Sequence, residues 1–564
     1  MRLTVCVTRI DTLGNETTLH ARRDYRHNNA NQRTEVTEDN GRRWSFDYDS
    51  LGQVTAAQKL DATSEVLPGF DFGYTFDDIG NRVSTTVNER SASYSSNSVN
   101  QYTQRDYPGA VDVRGYAPEH VGVIVNGERT ERTDGDFYAP ATGDNSTASV
   151  ELDIVVKAVD PGPPELLAEE GRTALLPQDP ESFTYDLDGN LTQDGLWTYE
   201  WDAENRLVAM ESRTDLPASV ARQRLEFAYD SRSRRIQKTV QEYDSGTSSW
   251  TTTAHIKFLY DGWNLLAEYD ALNSDALIRS HVWGLDLSGT PQGVGGVGGL
   301  LWSSESGADY APGFDANGNI IAWIDLSDGS LAGAAEYGAF GETLVQSGIS
   351  AELLFGFSTK YEDAETGFLD YGYRFYAPSL GRWVNRDILG EWAAFLRMNQ
   401  ELFSPSDYYQ ALPLVFVSND PIGQIDLVGL RGVPTVPGTP PSRPMQPPNS
   451  GGIGAGLDLL SQTAAINSGG FERGNLNILT RQALAQCGSA ANGEDCGPFK
   501  ICCCCEVRVW GSDYVGGGNR IWSGSRGTFY KKRCSDLSEV PGSYMFNLPP
   551  TRIPIERISF RIDW

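Results

Sequence analysis

The chain has 564 residues and a formal net charge of −29, with 39% hydrophobic and 11% aromatic residues. Its length allows several domains or one large repeat body, and its hydrophobic content allows a large buried core. No apolar run reaches the roughly 18 residues of a membrane span, and the start, MRLTVCVTRIDTLGNE, predicts no standard export signal because it lacks a long apolar stretch.

The charge is divided unevenly along the chain. Residues 1–430 carry 32 Lys and Arg against 65 Asp and Glu, whereas residues 431–564 carry 14 against 10. An acidic surface repels nucleic acid and anionic membranes, so we expect neither as a partner of the first part. In the second part, the basic run Lys531-Lys532-Arg533 is more typical of a solvated strand edge than of a nucleic-acid site.

A short pattern recurs through residues 1–345. An aromatic residue and an acid are followed by a polar turn and then by Asn or Arg with an aliphatic residue, and the stretch FTYDLDGNLTQDGLWTYEWDAENRLVAMES (183–212) contains this pattern twice. The copies begin at Tyr48, Phe76, Tyr185, Trp201, Tyr229, Tyr260 and Phe314, with a weaker copy at Tyr337.

Each copy predicts a β-hairpin. The aromatic residue ends one strand, the aspartate caps the turn, and Gly or Asn takes the position with positive φ. Because single hairpins are marginally stable in water, the copies should stack into one antiparallel sheet. We expect the aromatic residues of the copies from Tyr48 to Tyr260 to be mostly buried and to stack along that sheet. The alternative is a set of ordinary turns in an unrelated β protein.

Residues 109–165 interrupt the pattern. The segment GVIVNGERTER (122–132) alternates around Asn126-Gly127, which is a strong hairpin signal, and SVELDIVVKAV (149–159) predicts a strand. We interpret this segment as an immunoglobulin-like β-sandwich inserted in a loop of the repeat sheet. A longer, decorated hairpin of the same sheet is the alternative.

Residues 346–430 have a different pattern. Alternating apolar residues from Leu369 to Phe375 predict one strand, and Pro378-Ser379-Leu380-Gly381 predicts a turn before the next strand. After them, residues 431–452 contain seven prolines and predict a semi-rigid linker.

The tyrosine–aspartate pattern resembles the YD repeats of the RHS family. The stretches YEDAETGFLDYGYRFYAPSLGRWVNRDILGE and FVSNDPIGQIDLVGL resemble the RHS repeat-associated core of that family still more closely. The resemblance covers most of residues 1–430 and implies a mainly β fold. In that fold YD-repeat hairpins (1–108 and 166–345) wind into a partial cocoon shell, the core (346–430) closes one end, and a variable C-terminal domain (453–564), expected to be small and α+β, is enclosed.

The resemblance also implies a function and partners. The chain is interpreted as a polymorphic-toxin protein that encloses or presents its own C-terminal effector in interbacterial competition. The expected partners are this C-terminal domain, a cognate immunity protein and an upstream shell polypeptide, and delivery is expected by secretion or at the cell surface. The alternative is a non-enzymatic surface module for adhesion or carbohydrate binding, with a disulfide-rich C-terminal cap.

In several members of this family, an aspartate-dependent self-cleavage just after the core releases the C-terminal part. Carried onto this chain, the resemblance implies Asp420 and Asp426 as the carboxylates, Asp387 and Arg386 as further candidates, and Leu430–Arg431 as the bond that is cut. Two prolines of the family motifs are missing here, in Asp426-Leu-Val-Gly-Leu430 and in Arg386-Asp387-Ile-Leu-Gly390. Self-cleavage and simple capping of turns by these acids therefore both remain open.

The C-terminal domain lacks histidine, because all five histidines of the chain precede residue 282. Any mechanism there that needs a histidine base is excluded. Seven of the eight cysteines lie between Cys487 and Cys534. Disulfides, buried reduced thiols and a zinc site at Cys487, Cys496, Cys502 and Cys505 remain open. No cofactor is expected.

Overall fold

The computed structural model describes residues 2–10, 16–162, 165–387, 414–426 and 428–429, together with three short strands closer to the C-terminus, and it describes side chains from residue 21 up to residue 429 within those ranges. The linker, the expected helices of the C-terminal domain and the bond between Leu430 and Arg431 lie outside the described residues. Within the described part of the chain the regular elements are β-strands and short 3-10 helices.

The first sheet has ten antiparallel strands. Nine of them follow one another along the chain: β1 (Arg2–Ile10), β2 (Glu16–His27), β3 (Arg33–Glu38), β4 (Arg43–Tyr48), β5 (Val54–Leu60), β6 (Val66–Phe76), β7 (Arg82–Val87), β8 (Arg90–Ser96) and β9 (Tyr102–Arg105).

Two small sheets then form the insert. Their strands are β10 (Ala110–Tyr116), β11 (Gly122–Val125), β12 (Glu128–Arg129), β13 (Glu131–Thr133), β14 (Asp136–Thr142), β15 (Val150–Asp160) and β16 (Leu166–Leu176). One sheet has the order β10-β14-β13 and the other has the order β12-β11-β15-β16. Both sheets contribute to one apolar core around Val113, Phe137 and Ile154, so the insert is a small sandwich with a core of its own. Its likeness to an immunoglobulin domain stays a prediction.

The predicted hairpin of the insert is present, and the insert contains one further strand, β16, that the sequence did not predict. Asn126 and Gly127 have φ of 49° and 87° between β11 and β12, which is the turn type that the Asn-Gly pair favours. Sequence reasoning ended the insert at residue 165, but β16 pairs with β15 from Leu166 to Leu176. The reason is that this edge strand is mostly exposed and has a polar middle, residues 169–173, between apolar ends, and it therefore lacks the apolar alternation that marks a strand in sequence.

After the insert the chain returns to the first sheet, where β17 (Glu181–Ser182) pairs with β9. The Phe183 amide donates to the Thr103 carbonyl at 3.0 Å and carries the ladder on. The second sheet has fourteen strands in chain order. These are β18 (Thr184–Tyr185), β19 (Leu191–Gln193), β20 (Trp197–Trp201), β21 (Leu207–Ser212), β22 (Gln223–Tyr229), β23 (Arg235–Asp244), β24 (Ser249–Asp261), β25 (Asn264–Asp270), β26 (Ala276–Trp283), β27 (Leu300–Glu305), β28 (Ala308–Phe314), β29 (Ile320–Asp325), β30 (Leu331–Tyr337) and β31 (Thr343–Gly348).

Most repeat turns are closed by the aspartate that follows the aromatic residue. Asp202 accepts hydrogen bonds from the amides of Glu204 and Arg206 at 2.9 and 3.1 Å and from Arg206 Nε at 2.8 Å. The third residue after the aspartate has positive φ, for example 57° at Asn205. The same arrangement recurs at Asp49, Asp77, Asp230 and Asp315. The predicted hairpins and their turn chemistry are therefore confirmed.

The repeat aromatics themselves are partly exposed and pack against the apolar clusters, so the prediction that they are mostly buried is confirmed, whereas their stacking along the sheet stays a prediction. Each stands at a strand end beside a register shift, as between Glu200 and Trp201, and several donate to a backbone carbonyl of the preceding repeat. Trp201 Nε1 donates to Leu191 O at 2.7 Å, and Tyr229 Oη donates to Leu207 O at 2.7 Å. The aromatic residues that are fully buried lie two positions earlier: Phe46, Tyr74, Phe183, Tyr199, Phe227 and Phe258.

The ten-stranded and fourteen-stranded sheets together form what we call the repeat wall. The core segment packs against this wall. Its strands are β32 (Tyr361–Asp363), β33 (Phe368–Asp370), β34 (Phe375–Ala377) and β35 (Arg382–Trp383). The prediction of one strand from Leu369 to Phe375 is wrong, because the chain reverses and β33 pairs with β34. Gly372, with φ of 102°, lies in the reversal, where a left-handed backbone favours glycine. The predicted turn at Pro378–Gly381 is confirmed by the Gly381 amide, which donates to Pro378 O at 3.0 Å.

Four short 3-10 helices are described, at Ala271–Asn273, Ile349–Ala351, Phe357–Thr359 and Val417–Asn419. The remaining strands are β36 (Gln424–Asp426), β37 (Gly432–Pro434), β38 (Cys502–Cys504) and β39 (Ser543–Met545). No described helix is long and apolar enough to cross a membrane.

The wall curls so that its first strands contact its last strands. Trp44 Nε1 in β4 donates to Glu336 Oε1 in β30 at 2.8 Å, and Lys59 Nζ in β5 lies 2.5 Å from the same carboxylate. Phe340 and Leu344 join the apolar cluster of these first strands. Buried aromatic residues of the core segment, such as Tyr376 and Trp383, occupy the space between the sheets.

Candidate functional site

The end of the core segment is a short hairpin. Strand β36 pairs with β37, and Asp426 is the antiparallel partner of Gly432. The predicted scissile bond, Leu430–Arg431, lies in sequence between these partners. The described backbone before it is anchored on the core, because the Tyr373 amide donates to Val428 O at 3.2 Å.

Arg374 lies under this hairpin. It is 4% exposed and stacks on Trp383, with 3.9 Å between the guanidinium carbon and the ring centroid. Its Nε donates to the carbonyl of Gly429. Gly429 has φ of 75°, and a Cβ there would lie 3.0 Å from the Arg374 amide nitrogen, so the close approach needs glycine.

Two of the predicted carboxylates meet at this arginine. Arg374 Nη2 lies 3.2 Å from Asp387 Oδ2 and 3.6 Å from Asp426 Oδ2. Asp426 is 2% exposed, and its Oδ1 accepts from the Gly429 amide at 2.7 Å. Two acids and one cation are thus held beside the last described residue before the predicted cut. Paired acids in one site are the arrangement that peptide hydrolysis by carboxylates requires.

The structure directs Asp420 elsewhere. Its carboxylate accepts from the Gly423 amide at 2.9 Å, as a turn cap does. Burial raises the pKa of Asp420 to about 7, and the cation that opposes this rise is Arg33 rather than Arg374. Burial and Asp420 together raise the pKa of Tyr48. Asp420 therefore faces the repeat wall, whereas Asp387 faces Asp426.

Arg386 contacts a turn of the repeat wall. Its Nη1 donates to Asp188 O at 3.4 Å, and its Cγ and Cδ lie against Gly189 in a turn of the repeat wall. Arg374, which the sequence analysis did not single out, is the arginine that contacts both Asp387 and Asp426. The available signal was a lone arginine among the aromatic residues 371–376, but its significance depends on the reversal at Gly372.

Lys360 is a second cation near the junction that the sequence did not reveal. It is 5% exposed, and its Nζ donates to Gly295 O at 3.1 Å. Burial lowers the pKa of Lys360 to about 8, against the opposing influence of Asp426, Asp370 and Asp286. Arg374 and Lys360 are therefore both buried cations near the junction.

The predicted zinc site lies in the C-terminal domain. Among the residues that the structure describes, no group of three or more His, Cys, Asp or Glu side chains is placed to hold a metal. The predicted zinc ligands Cys487, Cys496 and Cys505 lie outside the described residues. For Cys502 only the backbone, in β38, is described. The zinc and disulfide predictions stay predictions.

Comparison with known proteins identifies the repeat region. The Teneurin YD-shell family model matches residues 297–411. The tRNA3(Ser)-specific nuclease WapA of Bacillus spizizenii is 28% identical over 250 residues, which cover 44% of this chain and 9% of that protein. Double-stranded DNA deaminase toxin A of Burkholderia cenocepacia is 26% identical over 302 residues, which cover 50% of this chain and 19% of that protein.

Among solved structures, the TcdB2-TccC3 crystal structure aligns with 73% of this chain and 20% of its own, at 13% identity and a TM-score of 0.31. The chain thus spans at most about a fifth of the length of the relatives named here. The family model, the curated relatives and the repeated aspartate-capped hairpins agree. The chain is an RHS/YD-repeat protein.

Proposed function

We propose that this protein is the shell-bearing part of a polymorphic toxin and that it encloses residues 453–564 as a variable effector. Two of its relatives are named as a nuclease and a deaminase toxin, and their similarity to this chain supports a toxin shell. Delivery by secretion or at the cell surface, use in interbacterial competition, an immunity protein and an upstream shell polypeptide belong to the same proposal. The effector's chemistry is independent of histidine, since the domain has none.

One observation carries the proposal. The core segment packs against the curled wall and leads to the hairpin at Asp426, and this arrangement supports a C-terminal part that starts beside the wall. The buried cluster of Arg374, Asp387 and Asp426 lies at the junction of shell and effector. A cleavage beside this cluster would separate the effector from the shell.

We assign the self-cleavage to Asp426 and Asp387, with Arg374 as the residue that positions them. One carboxylate takes a proton from water as the water oxygen bonds to the Leu430 carbonyl carbon. The other acid, in its protonated form, gives its proton to the Arg431 nitrogen as the C–N bond breaks. The products are a carboxyl group on Leu430 and a free amine on Arg431.

A denaturing gel of the purified full-length protein tests the cleavage. We expect two fragments divided after Leu430, and a single band for Asp426→Asn and for Asp387→Asn. The matched control is Asp420→Asn, which keeps an oxygen acceptor for the Gly423 amide and should leave cleavage intact. A single full-length band from the unmutated protein would contradict self-cleavage but would leave the shell function standing.

Limited proteolysis of the native protein tests enclosure separately. We expect residues 453–564 to resist added trypsin until the shell is denatured, although this part of the chain contains many Lys and Arg sites. Rapid digestion of this domain in the native protein would contradict enclosure and would favour the surface module.

A further inference from the structure

Arg33, the first residue of β3, is a buried cation without a counter-ion. It is 4% exposed, and its guanidinium carbon lies 4.6 Å from the ring centroid of Tyr25. Its Nε is enclosed without a hydrogen-bond partner. Within the described part of the chain, no acid forms an ion pair with this guanidinium. A buried charge without a partner is costly, so such a group is expected to have a ligand.

Two other arginines occupy the same position after a repeat turn. Arg235 forms ion pairs with Asp363 at 2.5 Å and Asp370 at 3.3 Å, both from the enclosed core segment. Arg82 is covered by aromatic rings, with 4.3 Å to the Phe340 centroid and 5.0 Å to the Tyr74 centroid. At equivalent positions, then, one arginine receives carboxylates and one is boxed by rings, whereas Arg33 borders open space.

That space is a cavity between the first and last strands of the wall, with a volume of about 70 Å³. Its walls include Tyr25, Trp44, Phe357 and Asn317. Asn317 donates from Nδ2 to Pro421 O at 2.9 Å, but its buried Oδ1 has no partner in the described residues. The cavity therefore contains two unsatisfied polar groups, one cationic and one accepting.

The other charged groups that line the cavity already have partners. Arg23 lies 3.4 Å from Glu38, and Glu336 accepts from Lys59. Asp315 is occupied within its own turn, where it accepts from the Asn319 amide at 2.9 Å. Among the cations that line the cavity, Arg33 is thus the one without an ion pair in the described residues.

Asp420 is the acid whose ionisation Arg33 influences. Its carboxylate caps its own turn at Gly423. A firm ion pair with an arginine would hold the pKa of this carboxyl below its ordinary value, whereas burial raises the pKa to about 7. Asp420 is therefore not the counter-ion that Arg33 lacks.

We propose that the cavity at Arg33 is a carboxylate-binding site, in which the planar guanidinium, backed by the ring of Tyr25, receives the two oxygens of the ligand. Arginine suits this role because its donors match the geometry of a carboxylate. The carboxylate belongs either to an acidic side chain of a polypeptide inside the shell or to a free small carboxylate. The inference rests on the cavity itself and does not require self-cleavage.

A cross-linking experiment on the full-length protein identifies a polypeptide source. In the variant Arg33→Lys, a water-soluble carbodiimide joins the introduced amine to any carboxylate that occupies the site, and peptide mapping locates the joined acid. We expect a link from residue 33 to an Asp or Glu of residues 431–564. The control is Arg232→Lys, on an exposed turn, which should not give this link. A link to Asp420 or Asp315 alone would overturn the proposal, because the charge would then be compensated locally.

Thermal unfolding identifies a free ligand. Sodium acetate should raise the unfolding midpoint of the unmutated protein above that in sodium chloride of equal ionic strength, in a saturating manner. The rise should disappear in Arg33→Met, or in Arg33→Gln if the methionine variant does not fold. Acetate stabilisation without a cross-link supports a free carboxylate. If neither the cross-link nor the stabilisation is found, the cavity is not a carboxylate site.

Discussion

Aspartates in the repeat wall and in the core segment have partners at very different distances along the chain. In the wall, Asp230 accepts from the amides of Arg232 and Arg234, two and four residues away. In the core, Asp363 pairs with Arg235, which is 128 residues away. The wall therefore uses its acids to close turns, whereas the core uses its acids to hold distant parts together. An acid that lies outside a turn and faces a buried arginine is the better indicator of function in this fold.

The largest expected effect concerns the contact between wall and core. Arg235→Met leaves Asp363 and Asp370 buried without the guanidinium that neutralises them, so we expect the free energy of unfolding to fall by about 3–5 kcal/mol. Urea denaturation of the full-length protein measures this change. Arg232→Met, three residues earlier on an exposed turn, is the control and should change stability by less than about 0.5 kcal/mol. Equal effects of the two variants would remove the distinction between wall and core charges.

A turn acid of the wall should matter less. Asp230→Ala removes three acceptor contacts of one turn, including 2.8 Å to Arg234 Nε, and we expect a loss of about 1–2 kcal/mol in the same measurement. Asp188→Ala is the matched control, because Asp188 lies in an equivalent turn and contributes only its backbone carbonyl, to Arg386. A loss at Asp188 as large as that at Asp230 would show that the repeated hydrogen bonds do not set turn stability.

The smallest effect should come from Asp420, which has the surroundings of a turn acid although it lies in the core. Its pKa of about 7 in the folded protein is above the ordinary value of about 4. The folded protein therefore keeps a proton that the unfolded chain releases, and stability falls as pH rises through this interval. Asp420→Asn should remove that fall, so its stability advantage should grow from about pH 5 to about pH 8.

Partial solvent contact of Asp420 limits the size of this advantage, and denaturation curves at the two pH values measure it. The same variant serves as the cleavage control above, so both readouts can be taken from one preparation. An advantage that is larger at the lower pH would contradict the assignment of a buried, proton-bearing carboxyl at this position.

The repeats made the hairpins, their turns and the mainly β fold predictable, because these depend on residues within about six positions of one another. The same local reasoning did not distinguish the repeat aromatics from the aromatics two positions earlier. Trp201 packs against the apolar cluster and its indole nitrogen bonds the preceding repeat, whereas Tyr199 lies within the cluster. A register shift at each strand end decides this, and register depends on the neighbouring strand as well as on the residue itself.

By itself, the sequence determined that this protein is a YD-repeat shell with an insert, and it indicated the acids around the core junction. Only the tertiary structure decided which of those acids meet. Asp426 and Asp387 come together at Arg374 because the chain reverses at Gly372 and returns through the hairpin at Gly429, whereas Asp420 turns toward Tyr48. Residues that lie far apart along the chain have no pattern in sequence to mark their contact, since their proximity follows from the packing of the wall around the core.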